Sequence, residues 1–226
     1  MNAGFGRAED YPGVFVSIEG GEGGGKSTQA ALLCEALRTR GKTVLATREP
    51  GGSAGAEAIR TLLVQGEPGR WDAMSEVLLL LAARRDHLRR TILPALAEGT
   101  WVICDRFGDS TMAYQGYAGG LGREAVETLA QAAIDGFSPT LTFILDLPVE
   151  EGLARAGGRV PSGEDRFERM GTDFHRRLRE AFLDIARREP ERCRVVDAAQ
   201  PVAAVQAEML RHLLHRRPDL AQAAPR

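Results

Sequence analysis

Gly20-Gly21-Glu22-Gly23-Gly24-Gly25-Lys26-Ser27 follows the apolar run Val14-Phe15-Val16-Ser17-Ile18 and precedes a stretch, residues 30–37, that reads as a helix. The octet fits G-x-x-x-x-G-K-[ST]. In such a loop consecutive backbone N–H groups converge on the oxygens of a polyphosphate, and the start of the next helix adds partial positive charge. Lys26 then reaches the β- and γ-phosphates, and the Ser27 hydroxyl sits on Mg²⁺. Glycine is abundant at 26 residues, but Lys26 and Lys42 are the only lysines. About two chance matches per thousand chains of this composition are expected, so a nucleoside triphosphate site is favoured over a glycine linker.

The totals narrow the setting. A chain of 226 residues holds one large domain or two small ones, with ample material for a single core. Its formal charge of −2 and pI near 6.1 speak against a general nucleic-acid surface, so strong positive potential must be local. Cys34, Cys104 and Cys193 show no metal-ligand or redox spacing and read as reduced core thiols. No apolar stretch approaches the ~18 residues of a membrane span, and no signal-peptide pattern opens the chain. The expectation is a cytoplasmic protein with neither nucleic-acid nor membrane partners.

Along the chain, residues 1–12 read as a flexible extension, 13–212 as one domain and 213–226 as a C-terminal tail. Strands are expected at 14–18, 43–47, 101–104, 141–147 and 194–196, each a short β-branched run. Helices are expected at 54–64, 74–97 with Pro94 bending or interrupting it, 123–133, 149–156 and 166–189, with another closing the chain after Pro201. Residues 116–122 read as a glycine-rich loop, and 157–165 as a Gly/Pro/Ser-rich one. The alternation predicts an α/β fold: a five-stranded parallel sheet with helices on both faces and a short lid at about 155–168. In such sheets ligands gather at the carboxyl ends of strands. Glu19, Arg48-Glu49, Asp105-Arg106, Asp146 and Asp197 all fall there.

Arg48 and Arg106 end two different strands, and a guanidinium matches phosphate with a bidentate fork. Two forks opposite a polyphosphate loop point to a second phosphate-bearing ligand. Arg155, Arg159 and Arg166 flank the lid loop, where arginines can stabilise charge spread over a transferring phosphoryl group. A phosphate monoester acceptor is already ionised and needs no general base, and none of the four histidines is arranged as one.

These residues give the chain a resemblance to the thymidylate kinases over about residues 13–212. The segments that carry it are Ile18 through Gln29, Thr47-Arg48-Glu49-Pro50-Gly51-Gly52, Asp105-Arg106-Phe107, Ser110 through Gly116, and Asp165-Arg166-Phe167-Glu168. The resemblance implies a P-loop NTPase fold and transfer of the γ-phosphate of ATP to dTMP, with Mg²⁺ as cofactor. It implies ATP binding by Gly20, Gly21, Glu22, Gly23, Gly24, Gly25, Lys26, Ser27 and Thr28. Arg48 and Arg106 would hold the dTMP phosphate, and Glu22 would approach the deoxyribose 3′-hydroxyl. Arg84 would meet the thymine O4 edge. Glu49, Leu80, Ser110, Thr111, Tyr114 and Gln115 would line the thymidine pocket, with Tyr114 leaving no room for a 2′-hydroxyl. Lys26, Arg106, Glu22 and the lid arginines form the expected catalytic set, and Ser27 the metal ligand, with Glu49 and Asp105 acting through water. Residues 197–201 correspond to the loop beside adenine, and the family is usually a homodimer.

Two departures stand out. Gly23 occupies the place of a P-loop arginine in one subgroup, which assigns the catalytic arginine to the lid, as in the bacterial type. Leu80 occupies the place of an aromatic that stacks on thymine in many relatives. The alternatives are another nucleoside or nucleoside-monophosphate kinase, or a nucleotide-dependent switch. The switch lacks the N-K-x-D that guanine specificity needs.

Overall fold

The computed structural model describes residues 4–157, 166–167, 169–217 and 220. Its centre is a five-stranded sheet of order β2-β3-β1-β4-β5. The strands are β1 (Val14–Gly20), β2 (Val44–Arg48), β3 (Trp101–Asp105), β4 (Leu141–Asp146) and β5 (Cys193–Asp197), every pair parallel. All seven residues of β1 are buried because it lies in the middle with both faces covered. Its alternation survives in what each face touches. Val14, Val16 and Ile18 join the cluster containing Leu33 and Leu37 of α1 (Lys26–Arg38) and Met209 and Leu213 of α9 (Val202–Arg216). Phe15 faces the other way, onto Leu88, Ile92, Leu96 and Phe107.

Between β2 and β3 run α2 (Ala54–Val64), α3 (Ala73–His87), a π-helical turn (Leu88–Ile92) and α4 (Leu93–Ala97). Pro94 has no N–H to donate, and its ring crowds the carbonyl four residues back. The wider π turn directly before it lets the helix continue, so Pro94 marks a change of winding and not a break.

After β3, α5 (Gly108–Thr111) runs into a second π-helical segment, Met112–Ala118, which takes the first three residues of the expected glycine loop and leaves 119–122 as the turn. Gly116 sits there because a Cβ would lie 3.0 Å from Met112 Sδ and 3.3 Å from Val126 Cγ2 of α6 (Arg123–Ile134). Glycine is a close-packing device at this position, and a turn begins only at Gly119. The chain then passes through β4 and α7 (Val149–Gly157), and α8 starts at Thr172 and ends at Arg188. Of the stretch expected to be helical from 166, the described residues 166–167 and 169–171 are not, and Gly171 precedes the first turn of α8 in an extended conformation.

Both ends depart from expectation. Phe5 (3 % exposed) and Ala8 (1 %) belong to the core beside Phe15, so these two residues anchor the segment to the domain, while Gly6, Arg7, Glu9, Asp10 and Pro12 stay exposed. The Phe5 N–H donates to Asp135 Oδ2 (3.0 Å), the Tyr11 hydroxyl donates to the Phe5 carbonyl (2.9 Å), and the Arg85 guanidinium lies 5.0 Å over the Phe5 ring. At the other end α9 continues to Arg216 with Leu213 buried, and Leu220 joins the same cluster, so the body of the domain does not stop at 212.

Candidate active site

The carboxyl ends of β1, β2 and β3 open onto two adjoining cavities. One, of about 180 Å³, is lined by the P-loop residues Gly23, Gly25, Lys26 and Ser27 together with Arg48 and Asp105. The other, of about 190 Å³, is half apolar, with Val64, Leu80, Phe107, Tyr114 and Phe167 in its wall beside Arg84 and Gln115. Glu22, Glu49, Arg60 and Arg106 line both. Two guanidinium groups and two carboxylates therefore mark the junction.

On the P-loop side, Lys26 Nζ donates to the Gly21 carbonyl at 2.7 Å. Burial, followed by the nearby Arg106 charge, lowers its pKa to about 8. The Ser27 hydroxyl donates to Asp105 Oδ2 at 2.5 Å, bringing a neutral and an anionic hard oxygen together at the cavity wall. Such a pair fits Mg²⁺, which takes one or two protein oxygens and completes its shell with phosphate and water. Glu49 lines the same cavity, but Arg84 Nε holds its Oε2 (2.7 Å) and His87 Nδ1 lies 3.0 Å from its Oε1. Both oxygens are thus engaged on the Arg84 side. Arg48 is more than half exposed and pairs with Glu57 at 3.1 Å. It reaches the P-loop cavity but not the apolar one, which Arg60 of α2 reaches instead.

The P-loop glycines answer to specific neighbours. Gly23 has φ +71°, and a Cβ there would drive into the carbonyl oxygen of Gly152 on α7. Reciprocally, a Cβ on Gly152 would lie 2.5 Å from the Glu22 carbonyl oxygen. The two backbones touch, and no side chain fits between them. This accounts for the missing P-loop arginine.

Arg106 ties the junction together. Its Nη2 donates to Glu22 Oε1 (2.7 Å), its Nη1 to the Gly20 carbonyl (3.0 Å) and to Ser110 Oγ (3.1 Å), and its guanidinium lies 5.2 Å over the Tyr114 ring. Burial alone would lower its pKa, but Tyr114, Glu22, Asp105 and Glu19 together raise it. Burial would likewise raise Glu22, yet Arg106, Lys26 and the Tyr114 hydroxyl (2.7 Å) hold it down to about 2. Arg106 has φ +69°, a conformation a side-chain-bearing residue adopts only when its surroundings over-determine it. They do: its N–H donates to the Ile18 carbonyl (3.0 Å), and the next N–H, of Phe107, donates to Glu19 Oε1 (2.6 Å).

In the apolar cavity Arg84 is 3 % exposed, with Nη2 donating to Thr111 Oγ1 (2.9 Å) and the Phe107 carbonyl (3.1 Å). Of the expected site residues, Leu80, Ser110, Thr111, Tyr114 and Gln115 line this cavity. The lid arginines separate. Arg159 lies outside the described residues. Arg155 donates to the Ala198 carbonyl (3.1 Å) and pairs with Glu151, which places it against the loop after β5. Arg166 does not face the junction: it is 2 % exposed, and its Nε caps the Leu63 carbonyl (2.7 Å) while its Nη2 pairs with Glu76 (2.5 Å). A guanidinium so held does not reach the cavity junction, and Arg166 ties its segment to α2 and α3. The sequence gives no sign of Arg60 and assigns no individual site role to Glu19, His87 or Phe167. His87, three residues after Arg84, shares its helix face, which was the available signal.

A thymidylate kinase family model matches residues 18–209. The chain belongs to the thymidylate kinase family. It is 54% identical over 195 residues to the thymidylate kinase of Caulobacter vibrioides, covering 86% of this chain and 93% of that protein. It is 54% identical over 202 residues to that of Dinoroseobacter shibae, covering 89% and 97%. Among solved structures, thymidylate kinase from Ehrlichia chaffeensis superposes with a TM-score of 0.70 at 35% identity, covering 89% of this chain and 98% of that one. The fold is thus the P-loop NTPase fold of a thymidylate kinase.

Proposed function

We propose that the two cavities are the donor and acceptor halves of one phosphotransfer site. As a thymidylate kinase, the protein transfers the γ-phosphate of ATP to dTMP, giving ADP and dTDP. The observation that carries the site assignment is the shared lining by Glu22, Glu49, Arg60 and Arg106, since an in-line transfer needs positive charge where donor and acceptor phosphates meet.

In this reading Lys26 and the N–H groups of the P-loop hold the donor phosphates. Ser27 and Asp105 would hold Mg²⁺, which neutralises the β- and γ-oxygens when bound. Arg106 and Arg60 seat the dTMP phosphate, and Arg48 serves the donor side. Glu22, kept ionised and aligned by Arg106 and Tyr114, meets the deoxyribose, and the Tyr114 ring closes the space a 2′-hydroxyl would need. Arg84 donates to a base oxygen, while Leu80 and Phe167 supply apolar contact. Glu49 and His87 hold Arg84 in place, and Thr47 Oγ1 lies 2.8 Å from His87 Nε2 on its far side. Arg155 serves the adenine side and Arg159 the transferring group.

No helix among the described residues is long and apolar enough to cross a membrane. Three buried free cysteines support a cytoplasmic setting. Met74 (40 % exposed) and Leu78 (52 %) on α3 and Leu62 (39 %) on α2 support a homodimer formed through these helices, whereas Val77 and Leu81 are core. A coupled ADP-release assay across dTMP, dUMP, dCMP, dGMP, UMP and AMP tests the reading. Highest kcat/KM with dTMP is expected, and preference for another monophosphate would sink it.

A further inference from the structure

Three buried groups form a line behind the apolar cavity: Arg166 (2 % exposed), Glu76 (8 %) and Gln115 (2 %). Arg166 Nη2 pairs with Glu76 Oε1 at 2.5 Å, and Gln115 Nε2 donates to Glu76 Oε2 at 2.7 Å. The two ends of an amide are alike in shape and opposite in hydrogen-bonding sense, so its neighbours decide which way it points. A carboxylate paired with a guanidinium only accepts. The NH₂ end of Gln115 must therefore face Glu76, and the carbonyl end must face away. That oxygen, Oε1, is buried without a partner among the described residues, and Gln115 lines the cavity. A buried acceptor left without a donor is costly, and here the donor belongs to the ligand.

We propose that Glu76, anchored by Arg166, fixes the amide orientation of Gln115 and so makes the cavity select a pyrimidine with a ring N–H over one with a ring acceptor. With Arg84 as donor and Gln115 Oε1 as acceptor, the wall is complementary to the O4 and N3–H of thymine. Cytosine presents the reverse pattern, an N4 amino donor and an N3 acceptor. Glu76 and Arg166 are positioning residues that never touch the base. The inference rests on the apolar cavity being the seat of dTMP. It also gives Arg166 a task unlike the one its place in an arginine-rich lid suggests.

The test is Glu76→Gln, assayed with dTMP and with dCMP at saturating ATP. A neutral amide at 76 can offer Gln115 either a donor or an acceptor, which frees the orientation. The kcat/KM ratio of dTMP over dCMP is expected to narrow by about tenfold or more, with the KM for ATP unchanged. A merely structural defect lowers the active fraction and scales both substrates alike, leaving the ratio intact. Should the stranded Arg166 charge impair folding, the double variant Glu76→Gln/Arg166→Leu removes it and is read by the same ratio. An unchanged ratio in a folded variant, with the wild type preferring dTMP, overturns the relay alone. A wild type without that preference overturns the assignment of the cavity and the relay with it.

Discussion

The Ser110 hydroxyl donates a 2.6 Å hydrogen bond to Oε2 of Glu19, a side chain with no exposed surface at the end of the central strand. Oε1 of the same carboxylate takes the Phe107 N–H, so one buried acid holds both the backbone directly after Arg106 and the hydroxyl that the Arg106 guanidinium bonds. Burial, followed by the Asp109 charge, raises its pKa from 4.5 to about 7, although Ser110, Arg106 and the Phe107 amide pull the other way.

A raised pKa in the folded state has a definite sign. Below pH 4.5 both folded and unfolded chains hold the proton, and above pH 7 neither does. Between those values only the folded chain binds it, so this group's contribution to stability falls as pH rises through the window. Glu19→Gln should remove the slope. Urea unfolding at pH 5 and pH 8 is expected to show the variant gaining on the wild type at the higher pH. An equal difference at both would contradict it.

Arg60→Ala and Arg106→Ala should each raise the KM for dTMP by about tenfold or more, because each removes a charged fork from the cavity junction. Arg48→Ala should change it by less than about threefold, its guanidinium being exposed and paired with Glu57. Steady-state kinetics on the three variants checks the ranking, and a larger effect at Arg48 than at Arg60 would reverse the assignment.

Lys26→Ala should lower kcat by about 10²–10³-fold by removing a cation aimed at the donor phosphates. The fold should persist, since among the described residues Lys26 donates only to the Gly21 carbonyl of its own loop. Circular dichroism with single-turnover kinetics separates the two, and near-normal kcat would exclude the role.

Phe5→Ala should destabilise the protein by about 3 kcal/mol, the usual cost of emptying a buried aromatic site. The measurement is the shift in urea midpoint at constant m-value. An unaltered midpoint would mean that the N-terminal segment is not packed in solution.

Much of the fold is legible from residues alone, for reasons that differ from place to place. The sheet can be read because each strand is a β-branched run closed by a charged or turn residue, and because Gly20 to Ser27 marks the turn from the first strand into its helix. The helix at 108–118 cannot, because Gly108 and Gly116 argue against helix unless the neighbour filling the vacant Cβ space is known. Phe5 and Ala8 are too few to show a period, and only their place beside Phe15 reveals them as core. Arg60 looks like one more charge on a solvated helix face. Arg166 looks like its lid neighbours, and only Glu76, distant in sequence, tells it apart. Contacts across the chain carry what local pattern omits.

The contact between Gly23 and Gly152 also bears on how such a site can change over time. An arginine arriving at 23 alone meets the Gly152 carbonyl and an unfavourable backbone angle, so it would damage the nucleotide loop before it could assist transfer. Displacing α7 first would open the space, but it would shift the helix that carries Arg155. Neither step is an improvement alone. On the proposed reading, a chain at this point is held by geometry to a source of catalytic charge outside the loop, and moving that source into the loop would require both changes together.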